Sequence, residues 1–126
     1  DLLVDRLPET RIFPVEPSIR LVADTIEYCA REAPLYSPVS VCGYHIRESG
    51  ANPAEEMAYA FAIAKAYIDL VLKRGLAIDE FAYRLSFNFN IFGQLFEQVC
   101  KFRAGRRHWA KIVKEEYGAT DPRSMW

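Results

Sequence analysis

The sequence predicts an α/β fold built from parallel strands. Two short stretches, 39–44 and 84–90, have the apolar or alternating character of strands, and more than thirty residues separate them. Apolar residues at helical spacing precede the first stretch, fill the interval and follow the second. A helix between two strands in this order is typical of a parallel pair joined by a right-handed crossover.

Composition and charge narrow the class of protein. The chain has 126 residues, 51% of them hydrophobic, which is enough for one domain with a real core. A net charge of -1 gives no general electrostatic reason to bind nucleic acid or an anionic membrane, so we expect neither as a partner. The longest apolar stretch, 57–72, contains Lys65 and Asp69 and is shorter than a membrane span of about 18–20 residues.

The cysteines predict a reducing compartment. There are three, an odd number, and they are far apart without CxxC spacing: Cys29, Cys42 and Cys100. This pattern suggests neither a disulfide framework nor a zinc site, and we expect no metal site and a cytoplasmic location.

The first helix is predicted from Ser18 to Glu32, after a proline-containing segment at 1–17 that we expect to be irregular, with a short extended piece at 11–13. Pro34 and Pro38 end this helix. Its apolar residues recur every three or four positions and predict one buried stripe: Ile19, Val22, Ala23, Ile26 and Ala30.

The second helix has strong signals at both ends. Asn52 is a candidate N-cap and Pro53 occupies the first helical position, while Gly75 is the expected stop. Charged residues complement the helix dipole in the first turn and the last: Glu55, Glu56, Lys73 and Arg74.

One helical turn is predicted at 78–82, before the second strand. That strand alternates an apolar face, Leu85, Phe87 and Phe89, with a polar one, Arg84, Ser86, Asn88 and Asn90. The third helix, about 92–117, ends at Gly118 and places these apolar residues broadly on one face: Leu95, Phe96, Val99, Phe102, Trp109, Ile112 and Val113.

Polar residues close both predicted strands. In the prediction Tyr44 and His45 end the first strand, and the polar face of the second strand should lie at the same end of the sheet, where α/β proteins gather their sites. His45 suits a hydrogen-bond donor or general acid to a carbonyl group. The alternative is a histidine whose partners are backbone groups at a strand end, and Tyr44 could equally be a packing residue.

A second candidate is the pair Arg84 and Ser86. They are two residues apart on one strand face, so a guanidinium and a hydroxyl could hold a phosphate together; a structural salt bridge is the equal alternative. The basic residues of the third helix have no stacking aromatic beside them and indicate a solvated face. The sequence contains no GxGxxG, P-loop or nucleophile elbow.

Three segments carry a resemblance to a known family: "GYHIRESGA" at 43–51, "DEFAYRLSF" at 79–87 and "RAGRRHWA" at 103–110. With them in this order and spacing, the chain from about Thr10 onward closely resembles the methylmalonyl-CoA mutase family, the adenosylcobalamin-dependent acyl-CoA mutases.

The resemblance implies that residues 1–126 are part of a substrate-binding (β/α)8 TIM barrel, about two to three β/α units. It implies an isomerase that rearranges an acyl-CoA by a radical mechanism, with adenosylcobalamin as cofactor and the CoA arm threaded through the barrel. We expect the rest of the barrel and a cobalamin-binding domain or subunit outside this chain as partners, and a dimer in the full-length protein. The fragment alone should be inactive and prone to aggregate.

The resemblance also implies roles for particular residues. His45 matches the histidine that hydrogen-bonds the thioester carbonyl, and Tyr44 matches the aromatic residue beside the substrate. Glu48 matches a position that touches the adenosyl ribose. Arg84 and Ser86 match residues that contact the CoA moiety.

Two positions depart from the family pattern. Pro8 stands where the methylmalonyl enzymes place an arginine that pairs with the substrate carboxylate, and Asn88 replaces an aromatic residue. The resemblance implies a substrate of the methylmalonyl-CoA/succinyl-CoA type or a close relative. Unless Arg6 or Arg11 replaces the missing arginine, we expect another acyl-CoA, such as ethylmalonyl-, isobutyryl- or 2-hydroxyisobutyryl-CoA. The alternative functions are a non-catalytic CoA-binding or assembly module derived from the barrel and, more weakly, a flavodoxin-like binding domain.

Overall fold

The computed structural model describes residues 13–125. Within this range the chain forms four α-helices and two strands: α1 Val15–Glu32, β1 Val39–Cys42, α2 Tyr44–Glu48, α3 Pro53–Lys73, β2 Leu85–Asn88 and α4 Leu95–Lys111. A π-helical turn, Ile112–Glu116, continues α4, and 3-10 turns occupy Ile78–Glu80, Ala82–Arg84 and Pro122–Met125. The predicted α/β class is confirmed.

The two strands pair in parallel, as predicted. The register sets Val39 opposite Leu85 and Cys42 opposite Asn88. One more hydrogen bond extends the ladder past β1, since the Gly43 N–H donates to the Asn88 carbonyl at 2.8 Å. The carboxyl ends of both strands therefore lie at the same edge.

Helix α1 starts three residues before the predicted Ser18. Pro17 falls in its first turn, where a missing N–H breaks no intrahelical bond, so proline is tolerated there. The helix ends at Glu32, ahead of Pro34 as predicted, and packs against α3. Of the extended piece predicted at 11–13, residues 11 and 12 lie outside the described part of the chain.

Helix α3 begins with the predicted cap. The Asn52 side chain accepts the N–H groups of Ala54 and Glu55, both at 3.0 Å, and Glu55 in turn accepts the Asn52 N–H at 2.9 Å. This reciprocal capping box fixes the first turn. At the other end Gly75 adopts φ +94°, a conformation that favours glycine.

Helix α3 also forms the centre of the core. Its buried residues in the hydrophobic core lie between α1, the sheet and the end of α4: Ala60, Phe61, Ala64, Tyr67, Ile68 and Val71. Trp109 packs between α3 and the sheet, because its ring centroid lies 5.6 Å from that of Phe61 on α3 and 4.7 Å from that of Phe87 on β2.

The apolar face predicted for the third helix is not buried over its first two turns. Leu95, Phe96 and Val99 are 72%, 83% and 48% exposed, whereas Gln98 and Lys101 are buried. Trp109, Ile112 and Val113 are buried, and Phe102 is half-buried. The helix also begins at Leu95 rather than 92.

Both strands are shorter than predicted. β1 ends at Cys42, so Tyr44 belongs to α2, and Arg84 lies in the turn before β2 rather than on its polar face. Gly43 causes the first difference by adopting helical angles, φ -75° and ψ -21°, directly after the strand. None of the helices between residues 13 and 125 combines the length and the hydrophobicity of a membrane span.

Candidate active site

Helix α2 stands at the carboxyl edge of the sheet and is reached through Gly43. A Cβ atom on Gly43 would lie 2.8 Å from Cδ1 of Phe89 and 3.0 Å from Cγ of Glu56. The backbone therefore passes against two side chains at a distance that only glycine permits. This close approach fixes the direction in which α2 leaves the sheet.

Tyr44 and His45 form the first turn of α2. Their rings meet edge to face, with centroids 5.6 Å apart. Tyr44 is 41% exposed and His45 is half-buried. The sequence predicted that these two residues end a strand, and this is wrong. They nevertheless lie at the carboxyl edge of the sheet, the position that α/β proteins use for their sites.

Glu48, at the end of α2, is tied to the segment that follows β2. Nδ2 of Asn90 donates to Oε1 of Glu48 at 2.5 Å. Asn90 is only 6% exposed, so it does not share a solvent-facing surface with Ser86 and Asn88. Asn90 nevertheless places a polar side chain from the predicted strand 84–90 against α2. The sequence predicted that polar residues of the two strands lie at the same end of the sheet.

An ion pair is buried beneath this contact. Glu56 is 0% exposed and Lys101 6%, and Nζ of Lys101 lies 2.9 Å from Oε2 of Glu56. Both residues also hold the backbone of Asn90: its N–H donates to Oε1 of Glu56 at 2.7 Å, and its carbonyl accepts from Lys101. Sequence reasoning missed this pair, because Glu56 suited the helix dipole and Lys101 gave no signal by itself.

Arg84 and Ser86 lie away from α2, toward the amino ends of the strands. At about 3.3 Å per residue, Leu85 is roughly 10 Å along β2 from Asn88, and Arg84 precedes Leu85. Its guanidinium lies 5.0 Å from the centroid of the Tyr83 ring, and its Nε is buried without a hydrogen-bond partner among the described residues. Arg84 therefore lies just before the strand on whose face the sequence predicted it together with Ser86.

One face of the sheet is small and polar. Ser86 stands opposite Ser40 in the register, and its hydroxyl donates to the Val39 carbonyl at 3.3 Å. Ser40, Ser86 and Asn88 are exposed, whereas the alternate residues on the other face contact the helices. This polar face connects the Arg84 end of the sheet with the α2 end.

A separate cleft of about 800 Å³ lies between α3 and α4. Met57, Phe61, Cys100 and Arg107 are among its lining residues, and none of the predicted site residues takes part in it. This cleft therefore does not include the residues predicted for the site.

Comparison with known proteins assigns the family. The family model described as methylmalonyl-CoA mutase matches residues 6–126. The large subunit of 2-hydroxyisobutanoyl-CoA mutase from Aquincola tertiaricarbonis is 47% identical over 114 residues, 90% of this chain and 20% of that protein.

Two methylmalonyl-CoA mutases are also similar. The enzyme from Cereibacter sphaeroides is 44% identical over 84% of this chain, and the mitochondrial enzyme from Homo sapiens is 40% identical over 92%. The chain spans 15–20% of the length of these three relatives. On these matches, the chain belongs to the methylmalonyl-CoA mutase family.

Proposed function

We propose that this chain is part of the substrate-binding barrel of an adenosylcobalamin-dependent acyl-CoA mutase, an isomerase. The observation that carries the proposal is the carboxyl edge of the parallel pair, where α2 presents Tyr44, His45 and Glu48 beside the end of a small polar strand face. Family membership supplies the reaction class, and the residues of this edge have the chemistry that the reaction needs.

The polar face suits an extended ligand such as the arm of coenzyme A. Closed barrels are normally filled by bulky branched side chains, whereas Ser40 and Ser86 face each other here and leave room. Arg84 at the amino end has an unpartnered Nε among the described residues and could hold a phosphate of the CoA moiety. In this arrangement the thioester reaches the α2 end.

His45 is the proposed catalytic residue. Its imidazole would donate a hydrogen bond to the thioester carbonyl and stabilise the negative charge that develops on that oxygen while the group migrates. Tyr44, with its ring edge-on to His45, would pack beside the acyl group. Both roles require a substrate at the carboxyl edge, which the exposure of Tyr44 allows.

Glu48 fits the cofactor chemically. A carboxylate accepts hydrogen bonds from hydroxyl groups such as those of the adenosyl ribose, and Asn90 already holds one of its oxygens. When bound, adenosylcobalamin supplies the radical that starts the rearrangement. The residues of this chain then orient the acyl-CoA and the ribose.

The exposed apolar face of α4 supports a place within a larger barrel. Leu95, Phe96 and Val99 are exposed in the described part of the chain. A stand-alone non-catalytic module would need to cover such an apolar face. We therefore favour the barrel, with residues 1–126 as a partial domain. The other barrel strands and a cobalamin-binding domain or subunit are the expected partners, with a dimer as the complete assembly.

The first substrate to test is 2-hydroxyisobutanoyl-CoA, with methylmalonyl-CoA second. The relative that is 47% identical to this chain over the aligned residues is named for the former, and the two methylmalonyl enzymes are 44% and 40% identical. Pro8, in place of the arginine expected to pair with a carboxylate, agrees with an acyl group that lacks one, although Pro8 lies outside the described residues.

The test is turnover by the full-length protein that contains this chain. With adenosylcobalamin and a panel of acyl-CoA substrates, mass spectrometry should detect conversion of one branched acyl-CoA to its linear isomer. His45→Ala should lower kcat by about 100-fold or more because it removes the carbonyl donor.

The matched control is His108→Ala, which removes an exposed histidine on α4 and should change kcat by less than about 2-fold. Equal losses in the two variants would contradict the role of His45. No turnover of any acyl-CoA, with cobalamin bound, would instead favour the non-catalytic module.

A further inference from the structure

Three buried polar residues meet beneath α2, each from a different part of the chain. Glu56 belongs to α3, Asn90 follows β2 and Lys101 belongs to α4; we call them the buried triad. A buried ion pair contributes little net stability compared with well-packed apolar residues, because the cost of removing both charges from water offsets their attraction. Stability alone therefore does not account for the triad.

The hydrogen bonds of the triad converge on the backbone of Asn90. Its N–H donates to Glu56 at 2.7 Å and its carbonyl accepts from Lys101, while the two charged groups lie 2.9 Å apart. The backbone of Asn90 is thus held on both sides. Its side-chain amide remains available and donates to Glu48 at 2.5 Å.

Glu48 differs from the triad in being exposed, on a helix of only five residues. So short a helix has little stability of its own, and an exposed glutamate side chain samples many rotamers. Asn90 removes that freedom by fixing Oε1, while Oε2 accepts no hydrogen bond from the described residues. One oxygen is held and the other is left for a ligand.

We infer that the buried triad positions Glu48, so that its second oxygen is already placed to accept a hydroxyl of the adenosyl ribose. This inference rests on the proposed function. The residues of the triad touch no reacting group themselves; they lower the entropic cost of binding by holding Glu48 in one arrangement.

The experiment measures cobalamin binding by the full-length protein, free of cofactor at the start, and not its activity. Titration with adenosylcobalamin is compared with titration with methylcobalamin, which has the same corrin and nucleotide tail but carries a methyl group in place of the adenosyl group and its ribose. Asn90→Ala keeps both backbone contacts of the triad and removes only the donor to Glu48. It should raise the Kd for adenosylcobalamin about 10-fold and leave that for methylcobalamin within about 2-fold.

Two further variants separate positioning from folding. Glu48→Ala should give a similar selective loss, and the double variant Glu48→Ala/Asn90→Ala should lose no more than Glu48→Ala alone, because residues that act through one another are not additive. Lys101→Met should also weaken the binding of adenosylcobalamin selectively. Lys65→Met, which removes a lysine paired on the surface with Glu116, should not. If Lys101→Met fails to fold, Asn90→Ala still decides the question.

The outcomes distinguish the inference from the function on which it rests. If Asn90→Ala weakens the binding of both cobalamins equally, or if the losses of affinity add in the double variant, the inference that the triad positions Glu48 is overturned. A selective effect of Glu48→Ala without one from Asn90→Ala would overturn the inference and leave the proposed function standing. No selective effect of Glu48→Ala would overturn both the inference and the proposed ribose contact.

Discussion

The two halves of α4 bury opposite kinds of residue. In the first half Gln98 and Lys101 are buried and the apolar Phe96 is 83% exposed, whereas Trp109 in the second half and Ile112 in the turn that continues it are buried in the core. The same helix therefore contacts a polar network at one end and an apolar core at the other. A continuous apolar stripe in a sequence does not imply a continuous buried face.

The elements that lie beneath each half explain the difference. The second half lies over the middle of α3, where Phe61 and Phe87 offer aromatic surface to Trp109. The first half lies over the start of α3, where Glu56 is buried and needs a cation. An unpaired buried carboxylate would cost several kcal/mol, so Lys101 turns inward there.

The largest effect on stability should come from the second half. Trp109→Ala should lower the free energy of unfolding by about 3–5 kcal/mol, because it leaves a cavity between two aromatic rings. Urea unfolding of the chain at low protein concentration, followed by circular dichroism, measures this. The control Phe96→Ala should change the free energy of unfolding by less than about 0.5 kcal/mol, since the Phe96 side chain is exposed. Comparable losses in the two variants would mean that something covers the first half.

A slightly smaller loss should follow from breaking the ion pair of the first half. Lys101→Met should cost about 3 kcal/mol by leaving Glu56 buried and unpaired, whereas Lys65→Met should cost less than about 1 kcal/mol, because the pair of Lys65 with Glu116 is exposed to water. Adding Glu56→Leu to Lys101→Met should restore most of the lost stability. A double variant less stable than Lys101→Met would show that the pair is itself a net source of stability.

The smallest effect concerns the segment that follows α4 and depends on pH. The Thr120 N–H donates to the carboxylate of Asp79 at 2.9 Å, and this backbone hydrogen bond is the largest cause that holds the pKa of Asp79 at about 2, below its usual 3.8. Since the pKa is lowered on folding, the stabilisation is complete above about pH 4 and is lost as the pH falls through about 2. Asp79→Asn should therefore lower the urea midpoint at pH 7 and approach the wild type at pH 2. A difference of the same size at both pH values would contradict this origin.

The accuracy of the sequence predictions followed the range of the contacts involved. The cap at Asn52 was predicted because its hydrogen bonds join residues two and three positions apart. The parallel pairing followed from the order of the elements. By contrast, Tyr44 was assigned to a strand although it begins a helix, because the turn at Gly43 depends on Phe89 and Glu56 pressing against the backbone.

The sequence by itself determined the α/β class, the parallel pairing, the ends of α3 and membership of the family, since each depends on local patterns or on residues in a fixed order. Only the tertiary structure decided which side of α4 is buried and that Glu56, Asn90 and Lys101 meet beneath Glu48. Those contacts join positions 34 and 45 residues apart, and their energy depends on removal of charge from water. Periodicity places a residue on one face of a helix, but burial depends on what the rest of the chain packs against that face.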